Sequence, residues 1–249
     1  MPQGKSSGLL ETMRTIVYAI LIALVVRTVA FEPFNIPSGS MVPTLLKGDY
    51  LFVAKYSYGY SRYSLPFGMP LIPGRILFDP PERGDVAVFK LPRDNSTDYI
   101  KRIVGLPGDR IQVREGVLYI NDEEVKRERI DDYVEAGVYG NPRRTAQYIE
   151  TLSNGRSYRV LDRGPGGQHD NTPVYVVPEG HFFAMGDNRD NSLDSRVPGT
   201  RNGVGFVPAE NLVGRAEVIF FSTDGSARFW EVWKWPAATR FARFFRGIV

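Results

Sequence analysis

Ser40 stands in the run Pro37-Ser38-Gly39-Ser40-Met41-Val42-Pro43-Thr44-Leu45. A serine that follows glycine in a proline-bounded loop can leave its hydroxyl accessible, and its own N–H can face a developing oxyanion. Further along, Lys101 stands in Tyr99-Ile100-Lys101-Arg102-Ile103-Val104. Strand alternation puts Lys101 on one face with Tyr99 and Ile103, and Arg102 on the other with Ile100 and Val104. A lysine held in apolar surroundings loses charge, because desolvation disfavours the ammonium form. Only a neutral amine can take a serine proton. The plainer readings stay open on these residues alone: Ser40 as one of the serines common in turns, and Lys101 as an edge-strand lysine in solvent.

The residues that are missing narrow the chemistry. There are only two histidines, His169 in a glycine-rich loop and His181 at a strand start. Both suit structural roles better than a Ser-His-Asp triad. Cysteine is absent, which excludes thiol nucleophiles, disulfides and thiolate zinc sites. No His-Glu-x-x-His pattern is present, which weighs against a zinc hydrolase. A third segment, Gly186-Asp187-Asn188-Arg189-Asp190-Asn191-Ser192-Leu193-Asp194-Ser195-Arg196, is dense in carboxylates, hydroxyls and arginines. It can orient an amine by hydroxyl contact and brace itself with Asp–Arg pairs. A calcium loop through Asp187, Asp190 and Asp194 is the rival reading. Arg189 and Arg196 among those ligands, and the lack of EF-hand spacing, weigh against it.

The elements that must position these residues read as mainly β. Gly 25 and Pro 18 point to many turns. Asp49–Lys55, Val86–Phe89, Tyr99–Val104, Ile111–Val113, Val117–Ile120, Val174–Val177, Phe182–Met185 and Val218–Phe221 carry strand patterns. Arg114-Glu115-Gly116 is expected to be a three-residue hairpin loop. Residues 56–82 read as an extended ribbon or long loop, and 121–173 as polar and irregular. Near the N-terminus, IVYAILIALVV extends to an apolar stretch over Met13–Phe31, roughly the length that crosses a hydrocarbon core. Glu32-Pro33 is expected to end this helix. A retained anchor is the favoured reading, with a buried core helix and a cleaved signal peptide as alternatives. Lys5 and Arg14 ahead of the run favour a cytoplasmic N-terminus. The net charge of +3 gives no argument for nucleic acid.

Taken together, PSGSMVPTL, RGDVAVF, YIKRIVGLPGD and GDNRDNSLDSR, in this order after an N-terminal apolar segment, resemble the bacterial type I signal peptidases of family S26. The resemblance covers most of 31–113 and 181–221. It implies Ser40 as nucleophile and Lys101 as general base, with an oxyanion hole from the Ser40 N–H and the Ser38 hydroxyl. It implies that Ser192 holds the Lys101 amine and that Asp194 and Arg196 brace the site; Ser195, beside them, is expected to be peripheral. Phe34, Ile36, Pro37, Tyr99 and Ile100 would line shallow pockets for small side chains. The implied fold is an antiparallel β catalytic core with an inserted second β lobe. The implied substrates are exported preproteins, cut after a small-x-small motif outside the bacterial inner (cytoplasmic) membrane, and the resemblance implies neither a cofactor nor a metal. One anchor rather than two, and no cysteine, depart from some members without touching a catalytic position. A self-processing Ser-Lys protease of the SOS-repressor type and a non-catalytic membrane-bound module are the alternatives.

The resulting organisation has a cytoplasmic tail at 1–12, an anchor at 13–31 and a catalytic core at 32–113 and 181–225 with the ribbon 56–82. The variable lobe occupies 114–180, and a C-terminal amphipathic helix 226–249. On a helical projection Phe241, Phe244, Phe245 and Ile248 share one side, and Arg240, Arg243 and Arg246 the other. Such a helix either packs on the β core or lies on membrane lipid, with its aromatics at the headgroup boundary. The oligomeric state is left open.

Overall fold

The computed structural model describes residues 5–135, 141–197 and 203–249. The apolar N-terminal segment is a helix, Lys5–Val29, of which Leu10–Val29 has a mean hydropathy of 1.7 and no buried share. A helix whose apolar side chains all face outward is not a core helix, so that alternative falls. The helix stops earlier than expected. Phe31 already belongs to a strand, Phe31–Asn35, in which Pro33 is accommodated because the strand is at a sheet edge. Arg27 pairs with Glu32, which also meets the buried Lys55 at 2.8 Å. Two cations across the junction tie the end of the helix to the β body.

The principal sheet is antiparallel. Phe31–Asn35 pairs with Asp49–Ala54, which pairs with the long strand Leu212–Ser222. Beyond it lie Val86–Lys90, Asp98–Gly105 and His181–Met185 in turn. Leu51, Val53, Val86, Val88, Met41 and Leu45 form one buried cluster beneath the Ser40 loop. A second core, including Val104, Ile111, Leu118, Val160 and Phe183, joins this sheet to the inserted segment.

The insertion is more ordered than its polar sequence suggests. Lys126–Glu135, Arg143–Thr151 and Ser157–Leu161 form a three-stranded antiparallel sheet. Arg110–Arg114 and Val117–Ile120 are joined by a two-residue turn rather than three. Glu115 and Gly116 both take positive φ there, the geometry that matches strand twist in a tight hairpin. The ribbon expected over 56–82 reduces to a two-residue pairing of Tyr60–Ser61 with Arg75–Ile76 among short helical turns.

The long C-terminal helix is replaced by a short one. Only Trp235–Ala238 is α-helical, with Pro236 in its first turn. The chain then turns back onto the sheet. Arg240 N–H donates to the Ser222 carbonyl, Phe245 N–H to Ile219 and Ile248 N–H to Glu217. Arg243, expected on a polar helix face, is buried with its guanidinium on Asp49 at 2.9 and 2.5 Å and on the Thr44 carbonyl at 3.0 Å. The backbone groups that a helix would pair internally are taken by an open sheet edge, and a buried carboxylate holds the arginine.

Candidate active site

Ser40 is carried by the turn that follows the edge strand Phe31–Asn35. Met41 and Leu45 are fully buried, and Leu45 N–H closes the turn on the Met41 carbonyl at 2.9 Å. These apolar anchors fix the loop from below. Asn188 fixes it from the side: its N–H donates to the Ser40 carbonyl and its amide to the Gly39 carbonyl, both at 3.0 Å. No protein acceptor receives the Ser40 N–H among the described residues.

Lys101 comes from the strand Asp98–Gly105 and is 3% exposed. Its Nζ lies 2.7 Å from Ser40 Oγ and 2.9 Å from the Ile100 carbonyl, and 5.3 Å from the Tyr99 ring centre. Burial pulls its pKa down from 10.5 to about 8, against the opposing pull of Asp194 and Asp187. Ser38 Oγ lies 3.3 Å from Ser40 Oγ. The solvent-exposed reading of Lys101 therefore falls. Burial outweighs the two carboxylates and leaves an amine, bonded to one serine and one carbonyl, with a pKa of about 8.

Arg102 faces away from Lys101, as alternation requires, but into the protein rather than out of it. It is 1% exposed. It holds Asp187 through two hydrogen bonds, 2.8 and 2.7 Å, donates to the Gly84 carbonyl, and lies 4.0 Å over the Tyr158 ring. Asp187 also accepts from Thr44 at 2.5 Å. Asp194 is fully buried and holds Arg196 at 2.9 and 2.8 Å, while accepting the Gly186 N–H at 3.0 Å. Burial raises the Asp194 carboxyl, but Arg196 and the Gly186 N–H outweigh it and hold the pKa below the usual carboxylate range. Arg189 is buried against Glu150 of the insertion. The carboxylates a calcium ion would need at Asp187 and Asp194 are thus committed to arginines, which removes that reading.

Two placements differ from expectation. Ser192 Oγ is buried and makes no hydrogen bond to Lys101; its hydroxyl acts instead on the Asp194 carboxyl, which it helps hold at a lowered pKa. The second contact of the amine is its neighbouring carbonyl, Ile100, instead. Ser195 is not peripheral: it is 1% exposed and its Oγ accepts the Ala184 N–H at 3.0 Å. Sequence reasoning also missed Gly186. A Cβ there would stand 2.2 Å from Ser192 Oγ and 2.5 Å from the Ser40 carbonyl, so only glycine lets the two segments meet. Its signal was the glycine opening an otherwise polar run.

A cleft of about 1020 Å³ runs past Ser40 and Lys101, lined by Phe34, Ile36, Pro37, Tyr99, Ile100 and Ser192 among others. Asp194 and Arg196 lie behind it. Its walls include two strand edges that have no partner strand among the described residues. Asp98–Gly105 pairs with Val86–Lys90 from Asp98 to Arg102, but with His181–Met185 only from Arg102 to Gly105. Phe31–Asn35 pairs on one side alone. Such edges take an extended peptide by main-chain hydrogen bonding. The described residues contain no group of three His, Asp or Glu placed to hold a metal.

A serine hydroxyl against a buried, low-pKa amine, in a cleft edged by open strands and joined to an apolar helix, defines a membrane-anchored hydrolase suited to polypeptide substrates. The chain belongs to the signal peptidase family, peptidase S26, which it matches over residues 9–221. It is 47% identical over 215 residues to a signal peptidase I of Rickettsia typhi, covering 83% of this chain and 78% of the relative. It is 42% identical over 251 residues to one of Rickettsia rickettsii, covering 93% and 90%. Among solved structures, a signal peptidase I of Enterococcus faecalis V583 aligns at 26% identity and a TM-score of 0.33, over 55% of this chain and 97% of that one.

Proposed function

We propose that this serine endopeptidase removes N-terminal signal peptides from exported preproteins, cutting after a small-x-small motif, with Ser40 as nucleophile and Lys101 as general base. The observation that carries the reading is the 2.7 Å contact of a buried Lys101 amine with Ser40 Oγ. In its neutral form the amine accepts the Ser40 proton as Oγ attacks the scissile carbonyl. The Ser40 N–H and the Ser38 hydroxyl stabilise the oxyanion. The ammonium then gives its proton to the departing amine, leaving a serine ester. Water, deprotonated by the same amine, hydrolyses that ester. No cofactor enters. Phe34, Ile36, Pro37, Tyr99 and Ile100 line apolar depressions that admit small side chains and crowd large ones. The test is cleavage of a synthetic signal-peptide substrate by the wild type beside Ser40→Ala; equal cleavage by the two would overturn the assignment.

Ser192 fits an orienting role. A neutral amine has two N–H groups; the Ile100 carbonyl takes one, and a Ser192 hydroxyl that donates toward Asp194 keeps its lone pairs available to the other. Ser192→Ala is expected to lower kcat by about 10–10³-fold with little loss of stability. Ser195→Ala is expected to act the other way. It strips the acceptor from a buried N–H, at about 1–3 kcal/mol of stability, and changes kcat less. Measured kcat and Tm for both variants check this; the reverse ranking would move the role from Ser192 to Ser195.

The anchor is read as a single pass in the bacterial cytoplasmic membrane, with the β body on the extracytoplasmic side. The C-terminal segment supports a second lipid contact. Phe229, Trp230, Trp233 and Phe245 are 84%, 65%, 70% and 80% exposed, an unusual outlay of aromatic surface for a side facing only water. Aromatic rings with polar edges favour the headgroup boundary. All three tryptophans lie here, so their emission reports on this segment alone. The full chain in liposomes is expected to show quenching by brominated lipid, and Trp230→Ser with Trp233→Ser should remove most of it. Unquenched emission would return this surface to water.

A further inference from the structure

The loop Arg163–His169 comes from the insertion, yet it lines the same cleft as Ser40. It is seated on the turn that leads into Ser192. Arg163 N–H donates to Asp190 Oδ2 at 2.6 Å, Gly164 N–H to Asp162 Oδ1 at 2.8 Å, and Gly167 N–H to Asp170 Oδ2 at 2.7 Å. A Cβ on Gly167 would stand 2.5 Å from Asp190 Oδ1, so glycine is what allows this close seat. The seat leaves the Arg163 side chain exposed at the cleft. Lys47, also exposed, lies on the flank of the nucleophile loop. Its Cε is 3.5 Å, and Asn191 Nδ2 3.6 Å, from where a Cβ on Gly39 would stand. Arg163, Asp190, Asn191, Gly39 and Lys47 thus form one continuous margin.

That margin carries two cations, Lys47 and Arg163, against one carboxylate, Asp190, and so a net positive charge. Neither Lys47 nor Arg163 has a salt bridge among the described residues. Of the carboxylates lining the cleft, Asp98 is paired with Lys90 at 2.8 Å, and Asp190 accepts the Arg163 N–H. Burial, then Arg196, hold His169 below its ordinary pKa, so it is neutral at neutral pH.

We infer that Lys47 and Arg163 form a cationic rim that selects substrates carrying carboxylate side chains just after the scissile bond. The inference rests on the signal-peptide reading above. On that reading the apolar depressions take the small residues before the bond, and what remains of the cleft meets the chain beyond it. The rim adds a charge preference to a site that otherwise reads side-chain size.

Three peptides sharing one small-x-small motif and differing only in the two residues after the cut, Glu-Glu, Gln-Gln or Lys-Lys, test this with the full chain in neutral detergent. At low salt the wild type is expected to favour Glu-Glu over Lys-Lys by about three- to tenfold in kcat/KM, the scale of exposed charge pairs. The preference should shrink in high salt as screening shortens from about 10 Å at 0.1 M to about 3 Å at 1 M. Lys47→Gln and Arg163→Gln should each lower the ratio, and the double variant should bring it near one. Because the ratio is taken within each variant, any loss of folded enzyme cancels. A wild-type ratio near one, or an unchanged ratio in the double variant, would overturn the rim. Failure of the wild type to cut Gln-Gln would instead overturn the peptidase reading, and the rim with it.

Discussion

Lys101→Arg is expected to be inactive, as is Ser40→Ala, while both variants stay folded. A guanidinium stays protonated at any accessible pH and cannot accept the Ser40 proton. Positive charge is thus kept while basicity is lost, which separates general-base chemistry from electrostatic stabilisation. In the wild type the rate should follow the neutral form of an amine with a pKa of about 8. Roughly one-tenth of it is neutral at pH 7 and nine-tenths at pH 9, so kcat/KM should rise close to tenfold between them and then level off. The same amine makes a stability prediction of known sign. Its pKa is lower folded than unfolded, so between about 8 and 10.5 the unfolded chain binds more protons and stability rises with pH. Below pH 8 the buried amine costs the folded state on the order of 3 kcal/mol. Lys101→Met should therefore be dead yet more stable than wild type at pH 7, with the gap closing above pH 10. Substantial turnover by Lys101→Arg would end the general-base assignment. A flat rate profile from pH 7 to 9 would show that another step limits.

How far this could be read from sequence follows the range of the interactions. The Lys101 face was legible because strand alternation is local, and the apolar helix because a run of uncharged residues is its own signal. Arg102 was placed on the correct face, but its burial was not legible. It depends on Asp187 and Tyr158, which arrive from distant segments. The strand Lys126–Glu135 reads as irregular because most of its side chains on both faces are at least partly exposed, leaving no alternation of apolar and polar residues. The tail after Thr239 has helical periodicity, yet Arg243 is claimed by Asp49 and the backbone by the sheet edge at Ile219. Local pattern lost to a tertiary partner there. The seat of Arg163–His169 on Asp190 likewise exists only once the insertion folds back.

Gly186→Ala should cost activity far beyond its effect on stability. The constraint here is space rather than torsion. An added Cβ would lie 2.2 Å from Ser192 Oγ, 2.5 Å from Ser192 Cβ and 2.5 Å from the Ser40 carbonyl oxygen. Ordinary contact needs about 3.5 Å between such atoms, so one side must move by about 1 Å. Ser192 can swing only part of the way, since its own Cβ is among the clashing atoms. The Ser40 peptide is held by the Asn188 N–H at 3.0 Å and would be pushed off it. A displacement of that size at a nucleophile is expected to lower kcat by ~10²-fold. General overpacking costs about 1–3 kcal/mol wherever it occurs, which makes a matched control necessary. Gly214→Ala supplies it, because a Cβ there would meet the Ala54 carbonyl oxygen at 2.4 Å and not the Ser40 loop. Both variants should lose comparable Tm, but only Gly186→Ala should lose kcat per folded molecule. Equal kcat in the two would mean that the Ser40 loop gives way without disturbing the Lys101 contact.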